Sequence, residues 1–305
     1  MPINTLTFNT KLSGELDKML VQKAVTGFMT DNGLKAKFVG AKTVLIPEME
    51  LSGAGDYDRD TGFVTGSIKI DNTPFTLAMD RGRSFQLDSQ DEDETGIANL
   101  AGQVMGEFIR TKMVPEVDAY VLSKLAGLAV TAGQTVTTAN LATGVYKLIS
   151  EAINKAQDAT GFGEEELVCF VNPEVYAAIQ STTELSRQLV ISDFKKGDLN
   201  TKVSSINDVA LLPVSDARMK TAYTFNDGTT GGQEDGGFVP TEAAKKIGLL
   251  ILPKKAASII RKTEKVRTFS PDVNQKADAY RFDYRLYYDV VVKKSQLPTI
   301  FTFTY

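Results

Sequence analysis

Histidine and tryptophan are absent from the 305 residues, and cysteine occurs once, as Cys169. Without histidine there is no Ser-His-Asp triad, no Cys-His pair and no imidazole-bound metal. A single cysteine makes no intramolecular disulfide and no thiolate cluster. It lies inside the apolar pentad LVCFV, which marks a packed thiol rather than a nucleophile and suits a reducing compartment. No apolar run approaches the ~18 residues that span a bilayer. The opening MPINTLTFNT lacks the basic segment and apolar stretch of a secretory signal, so a cytosolic site of synthesis is expected. A basic excess is missing too: 34 Lys and Arg face 38 Asp and Glu, a formal charge of −4, which argues against a nucleic-acid reader. The glycines of GAGDYD, GFGEEE and GTTGG have neither dinucleotide spacing nor a following Lys-Ser/Thr, so no phosphate cradle is read.

What is present is ordinary globular material, 42% hydrophobic and 24% charged, which places the chain outside the disordered regime and predicts roughly two domains. GELDKMLVQKAVTGFM carries one short amphipathic stretch in a polar N-terminal region, an arm that must lie on something else. KFVGAKTVLIPEMEL and GSIKIDNTPFTLAMDRGRSFQLD are two extended segments flanking the Gly- and Asp-rich LSGAGDYDRDTGFVTG. They predict a long hairpin, marginal by itself, with Pro47 and Pro74 suiting edge strands. A hairpin that cannot bury itself implies partner subunits. Glu94 to Leu128 predicts a helix of about 50 Å kinked at Pro115, its start marked by the acidic run Asp91 to Glu94.

From 132 to 260 helices and strands alternate as a mixed α/β block. TGVYKLISEAINKAQDATG is an amphipathic helix ended by Gly161, LVCFV a buried strand, Asn172-Pro173 a helix start, and 224–240 a long flexible loop. AYRFDYRLYYDVVVK then alternates Tyr280, Phe282, Tyr284, Leu286, Tyr288, Val290 and Val292 onto one face of a strand of about 45 Å. It matches the long helix in length and is expected to pack on it.

Candidate chemistry is weak throughout. Asp56, Asp58 and Asp60 match the first half of a calcium loop, but the glycine comes one place late, at Gly62, and Ser67 stands where a bidentate Glu is required; a solvated hairpin tip is the better reading. Asp88 and Asp91 to Glu94 read as helix-start charge. Asp283 and Asp289 read as partners of Arg281 and Arg285 rather than an acid/base pair. Lys195-Lys196, Lys245-Lys246 and Lys254-Lys255 read as solvated surface. No enzyme and no cofactor is expected.

Arm, hairpin, long kinked helix, α/β block and long returning strand form an unusual order of parts. EFIRTKMVPEVDAYVLSKLA, INDVALLPVSDARMKT and FSPDVNQKADAYRFDYRLYYDVVV resemble tailed-bacteriophage (Caudovirales-type) major capsid proteins, particularly of phages and prophages of Gram-positive bacteria. The resemblance runs from about residue 5 to the end and is strongest over 266–292. It implies the α+β Hong Kong ninety-seven capsid fold: an N-terminal arm over 1–36, an extended loop (β-hairpin) over 37–88, a peripheral-domain spine helix over 89–131, an axial domain over 132–260 and peripheral closing strands over 261–305. Residues 224–240 would project toward the centre of each capsomer ring, and PDVNQKADAY would lie near the local three-fold junctions.

The resemblance further implies a homo-oligomer of hexamers and pentamers in an icosahedral virion shell, made in the bacterial cytoplasm, without membrane contact. DNA would be enclosed without sequence-specific binding. Inter-subunit contacts would fall at Tyr57, Asp58, Arg59 and Phe63 of the hairpin tip, Asp272 and Asn274 of the outer loop, and Asn226 and Asp227 of the ring loop. Some relatives join loop Lys to peripheral Asn covalently; Lys42, Lys69 and Asn274 occupy the corresponding segments, where chance occurrence is the better reading. Many relatives carry a long, cleaved N-terminal scaffolding segment. Here the expectation is a separate scaffolding protein and no cleavage, with a portal and a decoration protein as further partners. An encapsulin-type nanocompartment, a tail or surface structural subunit, and a metal-dependent hydrolase using Asp56, Asp58 and Asp60 are the alternatives.

Overall fold

The computed structural model describes residues 20, 23–30, 37–39, 42–88, 100–136, 141–161, 166–182, 189–196, 199–274 and 277–305. The acidic run Asp91 to Glu94 and most of the N-terminal arm lie outside them. The chain opens with β1 (Lys37–Val39), β2 (Thr43–Leu51), β3 (Ile68–Thr76) and β4 (Met79–Asp88), followed by helices α1 (Leu100–Phe108) and α2 (Val114–Thr131). Next come α3 (Leu141–Thr160), β5 (Leu167–Val171), α4 (Pro173–Ser181), β6 (Val190–Lys196), β7 (Leu199–Ile206) and β8 (Val209–Pro213). The last third holds β9 (Tyr223–Phe225), β10 (Phe238–Pro240), β11 (Ile247–Pro253), β12 (Ala257–Phe269), β13 (Ala279–Val292) and β14 (Phe301–Thr304).

The hairpin is β2 on β3, in register from Thr43↔Thr76 to Leu51↔Ile68, with β1 as a short third strand. Because β1 pairs only with Thr43 to Leu45, Pro47 has no outer neighbour to disappoint, and Pro74 lies on the edge strand. The extended segment expected over 66–88 is corrected in one respect: it is two strands, broken at Leu77-Ala78, and β4 leaves the hairpin to pair with β13. Side chains satisfy the backbone at the break. Tyr287 Oη donates to the Leu77 carbonyl (3.1 Å), and the Ala78 N–H donates to Asp289 Oδ2 (3.1 Å).

α1 and α2 form one helical run of about 50 Å. The expected proline kink takes the form of a π turn, Ile109–Met113, in which the Val114 N–H reaches five residues back to the Ile109 carbonyl. Pro115 supplies no N–H, so the turn before it widens. Met105, Ile109, Met113, Val117, Val121 and Leu125 are buried along the inner face. There the helix meets the central strand of the β12-β13-β4 sheet, through Phe108 on Tyr284 (5.9 Å) and Tyr120 on Tyr288 (5.7 Å). Gly82 keeps that sheet closed, since a Cβ would meet the Tyr284 carbonyl oxygen at 2.6 Å.

The α/β block is a six-stranded sheet, β14-β11-β5-β8-β7-β6, with β5 and β8 parallel. Its central strands are apolar without alternation because both faces are covered. Val168 and Phe170 of β5 face the core shared with the long helix. Leu167, Cys169 and Val171 face the core under α3 and α4. Asn172 caps α4 by accepting from the Val175 N–H (2.8 Å), and Gly161 closes α3 at φ +80°. The expectation that 261–305 stays with the long helix is corrected at its end, where β14 pairs with β11 in the six-stranded sheet.

The described part of the arm lies on its own subunit. Leu20, Ala24, Phe28 and Met29 are buried, and the Phe28 ring sits 5.4 Å from Phe194 and 6.1 Å from Phe170.

Candidate assembly surfaces

The hairpin is anchored at one end and bare at the other. Val44, Ile46 and Leu77 pack with Ile260, Tyr287 and Val291 of the β12-β13-β4 sheet. Glu48 adds a clamp, accepting from the Lys294 N–H (3.1 Å) and the Thr73 hydroxyl (3.1 Å). Beyond this root the register puts Met49 opposite Ile70 and Leu51 opposite Ile68 on one face. These four are 62–71% exposed. Glu48, Glu50, Lys69 and Asp71 alternate onto the other face.

The tip is held by its own hydrogen bonds. Ser52 and Ser67 close the ribbon, with the Ser67 N–H donating to Ser52 Oγ (2.7 Å). Asp58 Oδ1 accepts from the N–H groups of Asp60 (2.7 Å) and Thr61 (2.9 Å), and Gly62 turns the chain at φ +82°. The Thr61 and Asp60 N–H groups hold the Asp58 carboxyl below its ordinary range. That carboxylate serves the turn, and among the described residues no group of three or more His, Cys, Asp or Glu could hold a metal ion. Tyr57 and Phe63 form an exposed ring pair at 4.8 Å. Arg59 is exposed beside them.

The 224–240 segment is corrected from a long flexible loop to one latched to β4 of the β12-β13-β4 sheet. β9 pairs with β10, and Arg81 of β4 donates to the carbonyls of Asn226 (2.8 Å) and Gly237 (3.2 Å) while its Nη2 reaches Glu116 (3.1 Å). Arg83 donates to the Glu234 carbonyl (2.9 Å). Asp227 accepts from the Thr230 hydroxyl (2.6 Å) and from the N–H groups of Thr229 and Thr230, which push its carboxyl far down. Asn226 and Asp227 thus line a cleft of about 170 Å³ against Arg81, Arg83 and Lys112. In the 270–279 loop Asp272 is exposed, and the Asn274 amide donates to the Ala279 carbonyl (2.9 Å). Lys69 lies 3.7 Å from Glu50 midway along the hairpin, and Lys42 precedes β2 at the root; Asn274 sits on a separate element.

Three buried carboxylates tie these surfaces to the long helix, and sequence reasoning missed two of them. Asp118, fully buried, accepts from the N–H groups of Val25 and Thr26 (3.0 Å each), the Thr26 hydroxyl (2.7 Å) and Arg218 (3.1 Å), docking the arm. Glu116 takes Arg81. Asp289 takes Lys124, the Tyr120 hydroxyl (2.8 Å) and Ala78. The expected Asp289–Arg285 pairing is corrected: Arg285 binds Asp80 (2.8 Å), while Asp283 does pair with Arg281 (2.8 Å). Burial, then the Asp289 charge, hold the Tyr120 hydroxyl far above its ordinary range, so it remains a donor. Burial alone pushes the Cys169 thiol up to about 12, which keeps it protonated. A Glu and an Asp directly after a proline, inside the apolar run VPEVDAYVL, were the available signal.

This geometry, a self-contained block carrying an anchored but uncovered hairpin, is the fold of subunits of closed shells. The bacteriophage PhiM1 mature capsid matches with a TM-score of 0.56 and 14% identity over 90% of this chain and 83% of that one. The capsid of cyanophage P-SCSP1u matches at 0.54 and 15% identity, covering 88% and 84%. The holo-SrpI encapsulin complex from Synechococcus elongatus PCC 7942 matches at 0.53 and 12% identity, covering 90% and 88%. No protein-family model and no curated protein matches the chain. More particularly, the architecture is the Hong Kong ninety-seven capsid fold, as the sequence resemblance implied.

Proposed function

We propose that this chain is the major capsid protein of a tailed-phage head, a structural subunit rather than an enzyme. It forms hexamers and pentamers that close into an icosahedral shell around DNA. The observation that carries this reading is the hairpin. The central strands β5, β8 and β11 of the α/β block bury their apolar side chains, whereas Met49, Leu51, Ile68 and Ile70 are left in solvent on a well-anchored ribbon. Such a patch marks an interaction surface. A projecting surface that meets a different surface on the next copy makes a heterologous contact, which closes into rings and, with changing curvature, into shells.

The formal charge of −4 suits a container, because a strongly cationic wall would grip DNA by counterion release. A separate scaffolding protein, a portal and a decoration protein belong to the same reading, as does residence in the virion. The expected inter-subunit contacts at Tyr57, Asp58, Arg59, Phe63, Asp272 and Asn274 stay part of it, as do those at Asn226 and Asp227, which would be made by a latched loop.

Electron microscopy of the purified full chain tests the proposal. Closed particles are expected; a monodisperse monomer at high concentration, or tubes, would overturn it. The likeness to an encapsulin complex favours one second reading, a nanocompartment shell. Particles recovered from the cells that make the chain distinguish the two: nuclease-protected DNA belongs to the phage head and co-purifying cargo enzyme to the compartment.

A further inference from the structure

Residues 24–30 belong to neither large sheet yet touch both, and they do so beside the joint between them. β11 runs into β12 through 254–256, so this turn joins the six-stranded sheet to the β12-β13-β4 sheet. On the six-stranded side Phe28 meets Phe170 of β5 and Phe194 of β6, and Lys254 of the joint lies over the same Phe194 ring at 4.8 Å. On the other side Thr30 pairs with Ile259 of β12 in a single parallel bridge, and its hydroxyl accepts from Arg261 (3.1 Å). Ahead of both contacts, the Val25 and Thr26 N–H groups and the Thr26 hydroxyl donate to Asp118 of the long helix. Asp118 also accepts from Arg218, in the turn that follows β8. Thr26 and Met29 are wholly buried.

These contacts hold or fail as a group. A carboxylate as buried as Asp118 that loses three donors keeps Arg218 alone, and the space left by Phe28 has no side chain to fill it. A segment tied by a few side chains, rather than by a strand ladder, opens locally long before the whole subunit unfolds. While it is docked, a swing of one sheet against the other must pull Phe28 from Phe194 or Thr30 from Ile259. We propose that residues 24–30 are a conformational strap: docked, they fix the angle between the two sheets, and released, they let the six-stranded sheet swing about the 254–256 joint. The strap is a property of the single subunit and goes beyond the shell reading, to which it adds a joint for copies that meet at different angles.

Spin labels at Gln86→Cys on β4 and Gln180→Cys on α4, both exposed positions, read the angle as a distance. Cys169 stays unlabelled, because it is buried with its thiol pushed up to about 12. Dilution of labelled chain into unlabelled chain keeps the distances within one copy, whether or not particles form. The unsubstituted chain should give one narrow distance distribution. Phe28→Ala with Thr26→Val should speed hydrogen exchange across 24–30 about tenfold or more and broaden or split that distribution. Ile251→Ala, a cavity in the core under α3 away from the strap, should leave the distribution narrow. Faster exchange at 24–30 with an unchanged distribution overturns the proposal, since the segment then leaves without freeing the sheets. Unchanged exchange overturns it too, since the named contacts are then not what holds the segment, and equal broadening in Ile251→Ala reduces the effect to general loosening. Circular dichroism checks folding. Should the double variant fail to fold, Thr26→Val alone, which keeps the shape and removes one bond to Asp118, carries the same two readouts and the same overturning results.

Discussion

β5 and the β2–β3 ribbon are built from similar apolar residues and meet opposite fates. Leu167 to Val171 are buried on both faces, between the core under α3 and the core behind the long helix. Met49, Leu51, Ile68 and Ile70 stay in solvent on two strands that pair with each other but, among the described residues, have no further strand beside them past Leu45. The two regions differ in pairing, since β5 has a strand on each side, and also in the second layer, which the ribbon lacks beyond its root. A sheet face needs a packed layer to hide its side chains, and the ribbon has one only at its root. The block is finished by folding, and on the proposed shell reading the ribbon is finished by association.

The contrast is broken most completely by Leu51→Asp with Ile70→Asp. These should abolish particles while the unfolding free energy measured in urea moves by no more than about 0.5 kcal/mol, the usual range for exposed sites. Phe170→Ala reverses the pattern, costing about 4 kcal/mol of unfolding free energy as a cavity opens between the sheet and Phe28. Arg81→Ala comes next. It strands the buried Glu116 carboxylate and unlatches 226–237, so a loss of about 3 kcal/mol is expected, with faster amide exchange confined to that loop.

The smallest effect is that of pH. The Arg285 guanidinium holds the Asp80 carboxyl below its ordinary value of 3.8. Its contribution is therefore complete above that value and is lost as pH falls through the lower folded one. With no histidine in the chain, urea midpoints measured between about pH 5 and pH 8 should coincide and fall only below about pH 4.

Local pattern made much of this legible. The alternation over 280–292 gave the central strand and its helix-facing side, and the bare hairpin followed from two extended segments with no third of comparable length. What stayed hidden depends on contacts distant in sequence. Nothing in TLAMDRGRS marks the residue at which one strand changes sheets, because the side chains that permit it, Tyr287 and Asp289, lie some 210 positions further along. The glycines of 226–237 suggest flexibility until Arg81 supplies a donor for the Asn226 and Gly237 carbonyls at the two ends of the segment. Asp118 sits in an apolar helix without local explanation, since its ligands come from residues 25, 26 and 218.

One carboxylate carries a mechanical consequence. A pull on the hairpin arrives at Ala78, whose N–H is hooked on Asp289, and Asp289 is bolted in turn to Lys124 and Tyr120. Tension in the ribbon is thereby shared with the long helix through Lys124 and Tyr120 rather than carried by the β4–β13 ladder alone.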